Sequence, residues 1–199
     1  MRMKKAKQNF TVLLLCGFVV SNVQAQFFYG VHAGLNLSNA WGHWPPATGL
    51  KPGFQIGALA NYSLTEKLSV EPILLFTTQR KYIKNLKDEK INYIQMPVNI
   101  RYKLGNNLYM RVGLYQGIAV SGKCTLTHYD GEKEDYKLEF GKNSSHKIFD
   151  FGFCIGVSLQ FRKMQIDFGG NSSIIVNERP PSSVRYASLA LSSIYLFGK

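Results

Sequence analysis

The sequence predicts an all-β fold: an eight-stranded antiparallel up-and-down transmembrane β-barrel preceded by a cleaved signal peptide. Three observations predict it. Ile148 to Phe161 alternates large apolar residues (Phe149, Phe151, Phe153, Ile155, Val157, Leu159, Phe161) with small or polar ones (Asp150, Gly152, Cys154, Gly156, Ser158, Gln160). Successive side chains of a strand point to opposite faces, so this stretch has one apolar and one polar face. It is as long as a tilted membrane strand, which takes about 9–11 residues, where globular strands run to about five or six. Further stretches repeat the pattern, and the connections between them alternate long and short, as an outer-membrane barrel requires.

The first 25 residues read separately. Arg2, Lys4, Lys5 and Lys7 form a basic start, Val12 to Val20 is a short apolar run, and Val23-Gln24-Ala25 is an A-x-A-like cleavage site. That is a secretory signal peptide, residues 1–25, ahead of one barrel domain, residues 26–199. The run is too short for a helical membrane span. Cys16 follows Leu13-Leu14-Leu15, which is too bulky for lipoprotein processing. The chain of 199 residues carries a formal charge of +12, and loss of the four leader cations leaves +8. In an exported chain of this charge the lysines first keep loops solvated, and the acidic partner it meets is an anionic headgroup layer rather than nucleic acid.

The strands follow in order. Phe27 to Ser38 places Tyr29, Val31, Ala33, Leu35 and Leu37 on one face, and a long connection from Asn39 to Lys51 follows. Pro52 to Leu64 puts Phe54, Ile56, Ala58, Ala60 and Tyr62 outward, with Leu59 the exception. After the turn Thr65-Glu66-Lys67 comes Leu68 to Arg80, whose phase is mixed because Ile73 and Leu75 share a face with Glu71, Thr77 and Gln79. Pro72 lacks a ladder donor and marks a bulge or local break. A basic connection is read from Lys81 to Ile91. Asn92 to Leu104 alternates cleanly, Gly105-Asn106-Asn107 turns the chain, and Leu108 to Val120 alternates again. The longest connection, Ser121 to Lys147, is dense in mixed charge. Ile148 to Phe161 is the sixth strand, Met164 to Asn171 the seventh and Arg185 to Phe197 the eighth.

Orientation is the central question. A soluble lipocalin-like calyx would turn the apolar face inward. The polar face, however, carries Gly30, Gly34, Gly53, Gly57, Gly113, Gly117, Gly152, Gly156 and Gly169. A narrow eight-stranded interior needs such small residues, whereas glycine on an open face only weakens a strand. The same face carries charges of both signs, which pair in a confined lumen and are costly there unpaired. Tyr29, Tyr62, Tyr102, Phe161, Tyr195 and Phe197 fall near strand ends on the apolar face, where interfacial girdles belong. The apolar face is therefore expected to meet acyl chains, and closure removes the edges a bilayer cannot accept.

GLNLSN (Gly34–Asn39), KPGFQIG (Lys51–Gly57), LSVEPILLF (Leu68–Phe76), YIQMPVNIRY (Tyr93–Tyr102), FDFGFCIGVSLQF (Phe149–Phe161) and the terminal IYLF (Ile194–Phe197) resemble, in order and spacing, the PorT-like outer-membrane β-barrel family of Bacteroidetes-type bacteria. The resemblance spans the mature chain and implies an eight-stranded barrel in the bacterial outer membrane. It implies little about activity, although name-giving members are tied to protein export. Ile73 stands where the family often has Glu, and Gly198-Lys199 extends past the terminal Phe that barrel-assembly machinery reads.

The lumen charges Glu71, Arg101, Lys103, Arg111, Asp150 and Asp167 are expected to form a network that plugs the interior and holds register. Side chains fill an eight-stranded interior, so no aqueous channel is expected. Trp41, Trp44, Lys81, Lys84 and Lys87 are expected on the outer loops, as an aromatic anchor or a surface for partners and lipopolysaccharide phosphates. No catalytic residue is assigned: the four histidines, His32, His43, His128 and His146, form no nucleophile motif. No Cys/His spacing resembles a metal site, no cofactor is expected, and Cys124 and Cys154 are read as unpaired thiols. The expected function is a non-enzymatic envelope protein acting structurally or through its loops. A secretion accessory or a narrow passive channel are the alternatives, and a lipid-modifying enzyme is a weaker one. Its partners are outer-membrane lipid, lipopolysaccharide, the barrel-assembly machinery and an envelope protein.

Overall fold

The computed structural model describes residues 27–42, 49–84, 86–142, 144–178 and 184–197, so the leader lies outside the described residues. The strands are β1 (Phe27–Gly42), β2 (Lys51–Ser63), β3 (Leu68–Ile83), β4 (Lys87–Lys103), β5 (Leu108–Thr127), β6 (Lys133–Lys137), β7 (Phe149–Phe161), β8 (Met164–Ser173) and β9 (Val184–Phe197). The order β4-β3-β2-β1-β9-β8-β7-β5, with β4 pairing β5, closes an eight-stranded antiparallel barrel. β5 pairs β7 from Leu108 to Ile118 and then changes partner, taking β6 from Lys123 to Thr127. The β5–β6 hairpin thus stands beyond the rim at the end opposite the termini.

Strands run further than the sequence reading at the outer end, where β1 reaches Gly42 and β5 reaches Thr127, and two connections differ more. The expected basic loop from Lys81 to Ile91 is mostly strand: β3 runs on to Ile83 and β4 starts at Lys87. Cross-strand charge joins the buried Ile83 and Ile91 as the support there. Arg80 pairs with Asp88 at 2.6 Å and Lys81 sits opposite Glu89, which offset the like-charge Arg80–Lys90 position. β6 lies inside the stretch that the sequence predicts as the longest connection. Asp130-Gly131 turns the chain, with Gly131 at φ +87° and Glu132 N donating to Asp130 Oδ1, and Thr125 donates to Asp135 across the ladder. At Pro72 the β2–β3 pairing skips from Leu59–Ile73 to Tyr62–Val70 in unchanged register, so the proline breaks the ladder locally without a bulge.

The alternation sorts as an outward apolar face and an inward polar one. Leu35 (71% exposed), Ile56, Leu74, Ile100, Val112, Leu114 and Ile155 face out, while Glu71, Gln79, Gln95 and Gln165 are fully enclosed. Tyr29, Tyr195 and Phe197 pack together at the terminus-bearing end, with ring centroids 5.0–5.4 Å apart, as an interfacial girdle does. Arginine in place of Val112, mid-strand on the outward face, is expected to cost about 2–4 kcal/mol. Urea titration of folding in lipid vesicles checks this, and a cost near zero would mean the row does not touch acyl chains.

Candidate functional site

The lumen is built in patches. Toward the terminus-bearing end, Leu59, Ile73, Leu75, Ile194 and Leu196 form an apolar cluster. The inward lean of Leu59 and the mixed phase of β3 both come from this cluster. Beside it lies the charge network. Arg101 and Arg111 are directly opposed on β4 and β5, an arrangement that repels unless an anion intervenes. Glu71 supplies the anion, 3.3 Å from Arg101 and 3.6 Å from Arg111, and Asp167 holds Arg111 at 2.8 Å. Two cations and two anions balance without an acid at position 73. Arg101 also donates to Gln160 at 3.3 Å and stacks over the Tyr109 ring. A cavity of about 60 Å³ between His32, Gln55, Asn99, Arg111, Cys154 and Asp167 is room for a few waters.

Two of the expected network members stand apart. Asp150 accepts from Tyr115 at 3.1 Å and Asn177 at 2.9 Å, higher in the lumen. Lys103 sits half-buried at the end of β4 and joins no ion pair of the network. Above Asp150, Ala40, Ile91, Tyr93, Ala119, Val184 and Tyr186 form a second apolar cluster.

A second charged cluster rests on that floor, at the outer mouth. Lys81 donates to both oxygens of Glu178 at 2.8 and 2.9 Å and lies 3.7 Å from Glu89. Lys87 approaches Glu89 to 2.5 Å. His146 Nε2 lies 3.4 Å from Glu89 Oε1 and 3.8 Å from Glu178 Oε1. Backbone bridges seat the histidine: His146 pairs with Phe140 on one side and Glu178 on the other. Burial would push the Glu89 carboxyl up, but His146, Lys87 and Lys81 outweigh it and hold it at about 2. This patch lies beyond the apolar band, which on β4 starts at Ile94.

The match that decides the family covers most of the sequence: the model of the "Outer membrane protein beta-barrel domain" matches residues 10–179. The chain belongs to that family. Solved structures share its fold. Ail, the attachment invasion locus protein of Yersinia pestis, aligns at TM-score 0.53 with 13% identity in its complex with sucrose octasulfate, covering 86% of this chain and 99% of that one. Neisserial surface protein A aligns at TM-score 0.52 with 14% identity over 87% and 99%. Among proteins with curated descriptions, none matches the sequence. The chain is thus an outer-membrane β-barrel set among the lipids of that membrane.

For this family member the outer residues need one correction. Lys81 is not a loop residue: it is 1% exposed, points into the mouth and is committed to Glu178. It has the same parity as Glu71, Ile73, Thr77 and Gln79, so β3 carries it inward. Lys87 is half-buried against Glu89, and Lys84 is exposed at the turn. Trp41 is exposed with the Arg185 guanidinium 5.2 Å over its ring, and Trp44 lies outside the described residues. Sequence reasoning missed Glu89 and Glu178. Glu89 shares parity with Ile91, Tyr93 and Gln95, whereas nothing local marks His146 or Glu178 as neighbours.

Cys124 and Cys154 are free, Cys124 enclosed at the rim with its thiol pushed up by burial, Cys154 half-buried in the lumen and bonded to Asn99. The barrel is therefore expected to migrate alike with and without reductant. Maleimide should label either thiol only after heat denaturation, and rapid labelling of the folded barrel would contradict this enclosure.

Proposed function

We propose that this barrel is a non-enzymatic envelope protein that acts from its outer face, stabilising the outer membrane and presenting its rim to partners. The observation that carries this is the filled interior. Two apolar clusters and a balanced ion network occupy much of the lumen, and the cavity beside the network holds only about 60 Å³, which favours the rim for recognition. At the rim β6 pairs only with β5, and an unpaired strand edge is a template for another strand. Lys51 over Tyr82 and Arg185 over Trp41 place cations beside aromatic rings near the level of lipopolysaccharide phosphates. Removal of residues 1–25 on export and insertion by the barrel-assembly machinery belong to the same reading.

The test pairs two measurements. Planar-bilayer conductance of the folded barrel is expected to match background. In a deletion strain, the wild-type gene should restore detergent resistance, and a variant with residues 128–137 shortened to a two-residue turn should insert but fail to restore it. Stepwise conductance, or full rescue by the shortened variant, would overturn the reading. A secretion accessory is the second reading, supported by the PorT-like motifs from Gly34–Asn39 to Ile194–Phe197. It predicts that deletion depletes specific proteins from the culture supernatant.

A further inference from the structure

The cluster at the outer mouth holds a donor set that the ion-pair description leaves incompletely used. Glu89 comes from β4, His146 from the segment after β6 and Glu178 from the segment after β8, and one donor atom of each lies within 4.8 Å of the others. All three are buried: Glu89 is 0% exposed, Glu178 2% and His146 5%. His146 Nε2 and both Glu89 oxygens are enclosed and make no hydrogen bond of good geometry, although Lys87 and Lys81 pair with the carboxylate by charge. Buried polar atoms that lack a well-formed hydrogen bond are rare and call for a reason. Here three such atoms face the same small volume.

We propose that Glu89, His146 and Glu178 form a binding site for a divalent metal ion of the zinc class, clipping two outer segments to the barrel wall. One imidazole nitrogen with carboxylate oxygens is a zinc donor set. The spacing fits as well. Ligands about 2.0–2.1 Å from a tetrahedral zinc stand roughly 3.3–3.4 Å from one another. His146 Nε2 lies 3.4 Å from Glu89 Oε1 and 3.8 Å from Glu178 Oε1, already near that edge length. The apolar floor of Ile91, Tyr93, Val184 and Tyr186 lowers the local dielectric and strengthens the attraction of an ion to two carboxylates.

The lysines decide how the ion enters. Lys87 is the occupant that leaves: its side chain is 27% exposed and reaches water by rotating away from Glu89. Lys81 stays. It donates to Glu178 Oε1 at 2.9 Å and to Oε2 at 2.8 Å, and Tyr186 reaches Oε1 at 3.5 Å, so metal entry requires Lys81 to keep Oε2 alone while Oε1 turns to the ion. Without metal, two lysines balance two carboxylates and the mouth holds together as an ion cluster. With metal, His146 gains a direct bond to the wall and the two segments lose freedom. The sequence hides this site because its ligands lie in three separate segments with no local spacing.

The experiment uses the full barrel folded in detergent micelles, stripped with chelator and titrated calorimetrically with Zn²⁺; Co²⁺ serves as a visible-absorption probe of tetrahedral geometry. One ion per chain is expected, with tetrahedral Co²⁺ bands. His146→Ala should weaken binding at least about 100-fold. Lys87→Ala, which removes the competing cation, should tighten it several-fold. His128→Ala, in the exposed hairpin beside Glu134, should change nothing. Heat-modifiable migration verifies that each variant is folded. If His146→Ala fails to fold, the Lys87→Ala affinity and a zinc-dependent rise in the parent's unfolding midpoint decide. No saturable uptake, uptake that survives His146→Ala, loss with His128→Ala, or no tightening in Lys87→Ala would each overturn the proposal and leave a structural ion cluster only.

Discussion

Glu71→Ala is expected to destabilise the barrel by about 3–5 kcal/mol, the range for removing one partner of a buried ion pair. Arg101 and Arg111 face each other across the β4–β5 ladder, and Glu71 is the anion in contact with both. Without it, Asp167 still holds Arg111 at 2.8 Å, but Arg101 keeps only the neutral Gln160 and the Tyr109 ring. One enclosed guanidinium would then lack a counter-charge in a wall that water does not readily reach. Urea-induced unfolding in micelles, followed by gel mobility and tryptophan-independent circular dichroism, measures the loss. Replacing Glu71, Arg101, Arg111 and Asp167 together by apolar residues of similar volume should cost much less than Glu71→Ala alone. The reason is that the single change strands a charge, whereas the quadruple change removes all of them. A single-mutant loss below about 1 kcal/mol would place the network in contact with bulk water.

How much was legible in the sequence follows from what each residue reports. Alternation reports the face, and it placed Val112 outward and Glu71, Arg101, Arg111 and Asp167 inward before any contact was known. It failed where alternation outlasts hydrophobicity. Lys81 to Ile83 and Lys87 to Ile91 remain strand above the lipid, supported by Arg80–Asp88 and Lys81–Glu89, and charged residues there read as loop. Extending the parity of Gln79 by one step would have carried Lys81 inward. The β5–β6 hairpin is not legible in the sequence because β6 lacks an apolar face; ladder pairing and the bonds of Thr125 and Lys123 to Asp135 support it. Within the lumen, sign and face do not specify partners. Asp150 has the right face and charge yet bonds Tyr115 and Asn177, because strand tilt sets which inward residues share a level. The mouth cluster was the least legible part, since His146 is positioned by backbone bridges to Phe140 and Glu178 that no local pattern encodes.

Gly152→Val should be about as damaging as the loss of Glu71, and by steric means. Gly152 lies opposite Tyr115 on one neighbouring strand and Ser173 on the other. A Cβ built there would collide with the Ser172 carbonyl oxygen and with the Tyr115 ring, both inside the closest approach real side chains make. The ring has nowhere to go: Tyr115 is 1% exposed, and its hydroxyl is tied to Asp150 at 3.1 Å and Ser173 at 3.2 Å. Accommodation therefore combines overpacking, about 1–3 kcal/mol, with a stranded buried polar group, about 1–3 kcal/mol more. The expected result is a chain that fails to acquire heat-modifiable mobility at temperatures where the parent folds completely. Gly105→Ala, in the β4–β5 turn with nothing within 4 Å of an added Cβ, should fold like the parent. A valine at 152 that is tolerated as easily as the alanine at 105 would mean the lumen is wider than its glycines require.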